Sequence, residues 1–486
     1  MMPIRFETSL RLSVPPSPRW SRLFRAAWLL GAIGLGAAPA AAGEASPPAV
    51  LVGVAKIDIT PELPIRLSGY QSRATEAARV EMRLHARALA IGAAGREPVV
   101  LVAAELIGVG EETSAAVAAA LRERHGLERS RLAVCATHTH TGPALADAIP
   151  FMFSKDLPAE ETDRIARYTA VLRGKLVEVA LAALADRRPA RLAWGEGRVD
   201  FATQRRTIVD GKWKAFGLVP EGPVDHVLPV LKVTDERGAV RAVLVNYACH
   251  CTTLAGADNF VHGDWAGDAA ARLEEANAGA VALIAIGCGA DANPGMPRGL
   301  AGVPVHGAKV AAEVGRLLAG PLRPLGAVST AQLRRIELPL DRAVTREELE
   351  QRTATGARVQ TAYAATKFLA ELDAGRTLPA AVPYVVQTWA FGRDLAMVFL
   401  SGEVVSEYSL RLRRELDADR LWVNSYANSV PCYVPAKRMY PEGGYEVDSS
   451  MDYYGWPTRL AIDTEDRVIA AVRALVPAEF QKAGPP

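Results

Sequence analysis

The chain has 486 residues, half of them hydrophobic, and a formal net charge of +2. That length can bury a large core in one big domain or two, and a near-neutral balance with no basic stripe excludes a nucleic-acid partner. Even the small surplus is local: Arg5, Arg11, Arg19, Arg22 and Arg25 face only Glu7 within residues 1–43, which leaves the rest of the chain near −2.

The basic start is followed by an apolar run from Ala26 to Ala38 and then by Ala40-Ala41-Ala42. This is the order of a secretory signal peptide, with cleavage expected near Ala42. The expected mature chain, 44–486, then has no apolar stretch long enough to span a bilayer, and its location is periplasmic or secreted. Five cysteines, Cys135, Cys249, Cys251, Cys288 and Cys432, lack C-x-x-C spacing. They read as small buried residues packed behind a site, with one disulfide allowed by export.

In chain order, Val50 to Ile59 predicts a strand ended by Thr60-Pro61, and Leu67-Ser68-Gly69-Tyr70 a turn. His85 to Ile91 and Val99 to Ala104 are two further strands, and Glu112 to His125 is a helix stopped by Gly126. Leu132 to Ala136 is a short apolar run that reads as a buried strand. It runs into Thr137-His138-Thr139-His140-Thr141-Gly142-Pro143, where Gly-Pro forces the chain out. Imidazole is the commonest side-chain metal ligand and also a proton shuttle near neutral pH. In an extended H-x-H both rings leave one face of the strand, so His138 and His140 are expected to share a pocket.

A long helix follows over about Ala159 to Asp186, then a strand over Leu192 to Val199 and the polar Gln204-Arg205-Arg206. Leu228 to Thr234 and Ala239 to Tyr247 form a hairpin around Glu236-Arg237-Gly238. His250, in Cys249-His250-Cys251, lies just past this second apolar strand, with the flanking thiols expected on the opposite face. A helix opens at His262-Gly263-Asp264; Asp264 either caps it or orients a metal-binding imidazole from behind. Ile284 to Ile286 is a strand running into Gly287-Cys288-Gly289-Ala290-Asp291-Ala292-Asn293-Pro294, whose glycines suit either an anion nest of backbone amides or a tight turn. Met397 to Leu400 leads through Ser401-Gly402 to Glu403, an oxygen ligand or a helix-start carboxylate favoured by the helix dipole. Last comes a Pro-, Gly- and Tyr-rich stretch with Tyr433, Tyr440 and Tyr445, which serves rigid packing or supplies a phenol to a metal or carbonyl. Strands and helices mix without strict alternation. The fold class expected is therefore α/β of the mixed α+β kind, a large mixed β-sheet core flanked by helices.

Taken in order, these pieces resemble the neutral/alkaline non-lysosomal ceramidase family in its N-terminal catalytic domain. The resemblance rests on HTHTGP after a strand, a second strand-end histidine, a glycine-rich loop with Asn-Pro, Ser-Gly-Glu before a helix and a tyrosine-rich loop. Gly53-Val54-Ala55-Lys56-Ile57-Asp58-Ile59-Thr60-Pro61 and Ser68-Gly69-Tyr70 fit the family's start. It spans roughly residues 50 to 475 and implies a divergent bacterial member without the family's C-terminal domain. It also implies one zinc ion per chain on His138, His250, Glu403 and Tyr433, leaving room for a second, structural divalent cation. His140 is then the proton-transfer group, and Arg205, Tyr445 and Asn293 complete the catalytic set. The family carries a serine before the proline of the glycine-rich loop. This chain has Ala292-Asn293-Pro294, so a metal-hydroxide mechanism is expected over a serine nucleophile.

The expected function is an exported zinc-dependent amidohydrolase acting on a linear C–N bond, ceramide-like or related, with a small-molecule or lipid-like acyl substrate. Two other readings stand beside it: a catalytically silent zinc-containing protein binding lipid or glycan, and a metal-dependent hydrolase of phosphate or sugar esters.

Overall fold

The apolar runs of the first half build the sheet that carries both histidine loops. Residues 50–482 are described in a computed structural model and fall in one compact unit; the signal peptide expected over 1–43 lies outside them. The main sheet consists of β1 (Val50–Asp58), β2 (His85–Ala93), β3 (Arg96–Ala104), β4 (Leu132–Ala136), β5 (Arg188–Arg198), β8 (Val227–Thr234), β9 (Val240–Tyr247) and β10 (Val281–Ile286). Their spatial order is β10-β9-β8-β5-β1-β2-β3-β4, and β12 (Arg323–Leu325) adds to β5. The inner pairs are antiparallel, but both edges are parallel: β3 with β4, and β9 with β10. Strands β2, β3 and β4 are buried on both faces, and their runs of Ala, Val and Leu are accordingly almost unbroken.

Helix α1 (Glu111–His125) ends where Gly126 takes φ +72° and returns its N–H to the last turn. Helix α2 (Ala159–Ala185) buries Leu172, Leu176, Val179, Ala180 and Ala183, the i, i+3, i+4 stripe that covers β1–β3. Farther along the same face of the sheet, α3 (Asp264–Ala276) and α4 (Val303–Ala319) cover β8–β10. Among the described residues no helix is long and apolar enough to cross a membrane.

A smaller sheet, in the order β11-β6-β7, joins β6 (Ala202–Val209), β7 (Lys212–Val219) and β11 (Ala292–Pro294). The C-terminal part adds β13 (Thr330–Pro339), β14 (Ala381–Phe391), β15 (Leu395–Leu400) and β17 (Leu421–Asn424) as a third sheet, with α5 (Arg346–Arg352) and α6 (Val359–Asp373) inserted between β13 and β14. Then β16 (Glu403–Val404) pairs with β18 (Tyr433–Val434), and α7 (Ser406–Glu415), the single turn α8 (Met451–Tyr454) and α9 (Thr464–Leu475) complete the chain. The large mixed sheet flanked by helices is the expected architecture.

Residues 425–428 tie this third sheet to both edges of the main one. Ser425 N–H donates to Ile286 O at the end of β10 (2.8 Å). Asn428 N–H donates to Val134 O of β4 (2.6 Å), and Ala136 N–H returns to Tyr426 O (3.2 Å). One segment therefore seals both edges of the sheet, β4, whose end delivers His138, and β10, which lies beside the strand that delivers His250. All five cysteines are buried and free, which corrects the disulfide allowed for them: each packs as a small apolar group.

Candidate metal centre and active site

His138 lies two residues beyond β4, His250 three residues beyond β9, and Glu403 three residues beyond β15. Each strand thus ends just short of one common point, the arrangement by which open α/β sheets place ligands. The two histidine loops also pair directly, through the Thr139–Cys251 bridge and His140 N–H donating to Cys251 O (3.3 Å).

His138 itself is not extended. Its φ is +57°, in the left-handed region, so the same-face argument for H-x-H does not describe the local backbone. The rings converge because this kink turns His138 inward against Tyr426, at a centroid distance of 4.3 Å. Tyr426 is also left-handed, at φ +52°. A non-glycine residue in that region costs on the order of 1–3 kcal/mol and is kept where the surroundings over-determine it.

Each imidazole is fixed through its Nδ1 by a backbone carbonyl. His138 meets Ile107 O at 2.6 Å, His250 meets Gly289 O at 2.8 Å, and His140 meets Gly69 O at 3.1 Å. A carbonyl only accepts, so each Nδ1 carries the proton and each Nε2 presents a lone pair. Gly69, at φ +97°, has to be glycine: a Cβ there would sit 2.6 Å from the His140 ring.

Three lone pairs therefore converge, and one carboxylate oxygen joins them. Glu403 Oε2 is 3.1 Å from His138 Nε2 and 3.3 Å from His250 Nε2, buried, with no hydrogen-bond donor. The Tyr433 hydroxyl is 3.3 Å from His250 Nε2, and His140 Nε2 is 3.1 Å from His138 Nε2. Of these four acceptors only His250 Nε2 has donors in reach, Arg205 Nη1 and the Tyr433 hydroxyl; a cation at the centre would satisfy the others, the Glu403 oxygen above all. Ligand atoms on a tetrahedron with zinc-like bond lengths lie roughly 3.3–3.4 Å apart, close to these separations. His138, His140 and His250 form a buried cluster able to hold a metal ion. Among the described residues no second group of three His, Cys, Asp or Glu side chains converges in this way, so the second cation finds no site of that kind.

Glu403 reaches the centre because Gly402, at φ +78°, turns the chain after β15 where a Cβ would lie 2.7 Å from Cys432 O. Glu403 and Tyr433 are direct partners in the β16–β18 pair. The carboxylate points at the imidazoles, and α7 has no side-chain cap. Burial disfavours its charge; when the adjoining imidazoles carry a proton toward it, their charge and hydrogen bonds outweigh burial and hold the carboxyl well below its usual range. For His250, burial and then the Arg205 charge press the pKa down to about 4. Burial, followed by the two neighbouring imidazoles, also sets His140 well below its ordinary value.

Arg205 occupies the other flank. Its Nη1 is 3.1 Å from His250 Nε2 and its Nη2 is 3.2 Å from the Tyr433 hydroxyl, while Nε donates to Glu446 Oε1 at 2.8 Å. Arg206 binds the other Glu446 oxygen and Glu442. Neighbours on a strand ordinarily point to opposite faces; a bulge between Gln204 and Arg206 lets both reach one carboxylate. Burial opposes the Arg205 charge, yet Tyr433 and Glu446 more than offset it and raise the pKa further. Asn293 accepts from Arg205 Nη1 (3.4 Å) and Thr252 Oγ1 (3.3 Å), so its amide NH₂ is the free end. These groups open into a cavity of about 400 Å³ that His140, Arg205, Asn293, Tyr433 and Tyr445 line together.

Every site residue read from sequence therefore meets at one place. Two other expectations change. The Asp264 carboxylate accepts from the N–H groups of Trp265 (2.6 Å), Leu254 (2.9 Å) and Thr253 (3.3 Å), so it braces the loop after His250 and touches no imidazole of the cluster. In the glycine-rich loop the amides of Gly287 and Ala290 are spent on Tyr247 O and Val404 O; its contribution is the Gly289 carbonyl on His250, not an anion nest.

Sequence reasoning missed Tyr454 and Glu446. The Tyr454 hydroxyl donates to Glu403 Oε1, fixing the carboxylate from behind. We expect Tyr454→Phe to weaken metal binding about 10–100-fold, the usual effect of losing such a partner, with unfolding little changed. Chelator competition and a denaturant titration of the same samples measure the two effects separately.

Residues 50–287 match the family described as neutral/alkaline non-lysosomal ceramidase, N-terminal. The chain belongs to this family. It is 26% identical over 217 residues to the neutral ceramidase of Pseudomonas aeruginosa, a match covering 44% of this chain and 32% of that protein. The chain thus matches about a third of the length of that curated relative. Its fold also resembles two solved structures. The crystal structure of neutral ceramidase from Pseudomonas aeruginosa aligns with TM-score 0.65 and 19% identity, over 91% of this chain and 77% of that one. A ceramidase complexed with C2 aligns with TM-score 0.65 and 18% identity, over 90% and 77%.

Proposed function

We propose that this ceramidase-family chain is a zinc-dependent hydrolase of a linear amide bond in a lipid-like N-acyl substrate. The observation that carries this is the donorless Glu403 oxygen among three inward-facing imidazole nitrogens, one of which, on His140, belongs to a side chain lining an open cavity. We assign the ion to His138, His250, Glu403 and Tyr433. His138 and His250 are fully buried, whereas His140 lines the cavity, so His140 is the group left to face substrate. A zinc ion so held supplies Lewis-acid chemistry, polarising a carbonyl and acidifying water toward neutral pH.

The chain's own residues do the rest. His140, neutral at working pH, takes the proton of the attacking water and passes it to the departing amine nitrogen. Arg205 and the free amide of Asn293 donate toward the carbonyl oxygen as its charge grows, and the Tyr445 hydroxyl adds a third donor from the cavity wall. Asn293 stands where the family has serine and cannot act as a nucleophile, which favours water as the attacking group. Residues 44–486 act as a single metallohydrolase domain, exported by the 1–43 segment to the periplasm or beyond.

The test measures amine release from N-acyl substrates of graded chain length by the purified mature protein. Activity should vanish on chelation and return with zinc. Metal-replete protein that cleaves phosphate or sugar esters but no amide would overturn the reading, and so would metal content without any turnover.

A further inference from the structure

Among the described residues eleven large apolar side chains are exposed, and seven of them fall on two short segments, 208–218 and 296–305. Both segments border the active-site cavity, since Phe216 of the first and Arg298 of the second line it. On β7, Leu218 lies two residues beyond Phe216 and is 44% exposed. Val209 stands at the tip of the β6–β7 hairpin, half exposed. In the other segment Met296 is 71% exposed and Leu300 is 44% exposed. Apolar side chains scattered singly need no explanation; a cluster around one opening does.

The charge on these segments is one-sided. Lys212 and Lys214 flank Trp213 on β7, and Arg298 sits between Met296 and Leu300, against the single carboxylate of Asp210. Apolar and aromatic side chains interleaved with cations suit the interface of a bilayer, where rings and chains enter the headgroup boundary and cations meet anionic lipid.

We infer that the β6–β7 hairpin and the 296–305 segment dock the protein on an anionic lipid bilayer, with the active-site cavity opening toward the membrane. This rests on the reading of the substrate as a lipid-like N-acyl amide. Such a substrate would then enter the cavity past Phe216 without crossing water.

The experiment is co-sedimentation of the full metal-loaded chain with vesicles of phosphatidylcholine, alone or mixed with phosphatidylglycerol. Binding is expected to the mixed vesicles and to weaken with added salt. The triple variant Leu218→Gln, Met296→Gln, Leu300→Gln should lose at least tenfold in vesicle affinity. It should keep its circular dichroism, its metal and its rate on a water-soluble short-chain N-acyl substrate. Wild-type protein that sediments with neither vesicle, or a triple variant that binds as before, would overturn the inference. So would a dimer that the triple variant splits with no change in vesicle binding, since the patch would then be a self-association face. Vesicle binding with no amide hydrolysis on any substrate would count against the proposed function alone.

Discussion

Glu403→Gln should strip the metal from the protein without unfolding it. Oε2 of Glu403 lies 3.1 and 3.3 Å from the lone-pair nitrogens of His138 and His250 and has no donor. In the metal-free chain this contact is unfavourable, and a glutamine amide can donate to either imidazole and relieve it. With a cation present the preference reverses, because the carboxylate supplies both charge and a ligand atom. Metal content should therefore fall from about one per chain to below about 0.1, with amide hydrolysis down by about a thousandfold or more. The unfolding midpoint of the chelated variant should equal or exceed that of chelated wild type. A buried structural network would give the opposite pairing, lower stability with no metal to lose. His138→Ala and His250→Ala should also lose the metal, but each opens a cavity, so only the glutamine variant separates the two explanations. Acid supplies a second check. Burial and Arg205 hold His250 near a pKa of about 4, so protons compete for its Nε2 only well below the ordinary value of 6.5. Occupancy should stay flat from pH 8 to about pH 5 and fall as pH drops further.

The parts of the site legible in sequence are those where local pattern and chemistry coincide. An apolar run ending at Gly142-Pro143 puts His138 and His140 at a strand end whatever the rest of the chain does, and the run before His250 does the same. Glu403 and Tyr433 carry weaker local signals. They meet because β15 and β17 are parallel neighbours that bring β16 and β18 together across thirty residues, and only the order of motifs along the family pointed to them. Glu446 and Tyr454 have no pattern of their own, since each acts through a contact made after a π turn and a short helix have formed. The β6–β7 hairpin is a different kind of miss. Val209-Asp210-Gly211-Lys212 holds an Asp-Gly turn with both φ values positive, an ordinary hairpin signal that went unread beside the polar Gln204-Arg205-Arg206. The strands β12 to β14 and helices α5 and α6 also went unread; β13 is largely exposed on its outer face and shows little apolar periodicity.

Glu446→Ala should be among the most damaging single changes in the molecule. Its carboxylate is fully buried and is shared by two buried guanidiniums, Arg205 on one oxygen and Arg206 on the other. Surface pairs such as Arg335 with Glu111 contribute at most about 1 kcal/mol. Removing one partner of a buried pair instead leaves an uncompensated charge and costs about 3–5 kcal/mol. Arg206 keeps Glu442 and the Gly443 carbonyl (2.8 Å), so Arg205 bears most of the loss. Its guanidinium, held over Phe216 at 4.8 Å from the ring centre, would then carry an unbalanced positive charge 3.1 Å from a nitrogen assigned to the metal. Metal affinity should fall along with stability. The milder Glu446→Gln keeps the shape and should show the electrostatic part alone: weaker metal binding that recovers in part when Arg205→Met is added. A denaturant titration of the alanine variant and chelator competition on the glutamine pair read the two effects. Unchanged metal affinity in Glu446→Gln would mean that Arg205 acts on substrate only and that its carboxylate partner merely supports the fold.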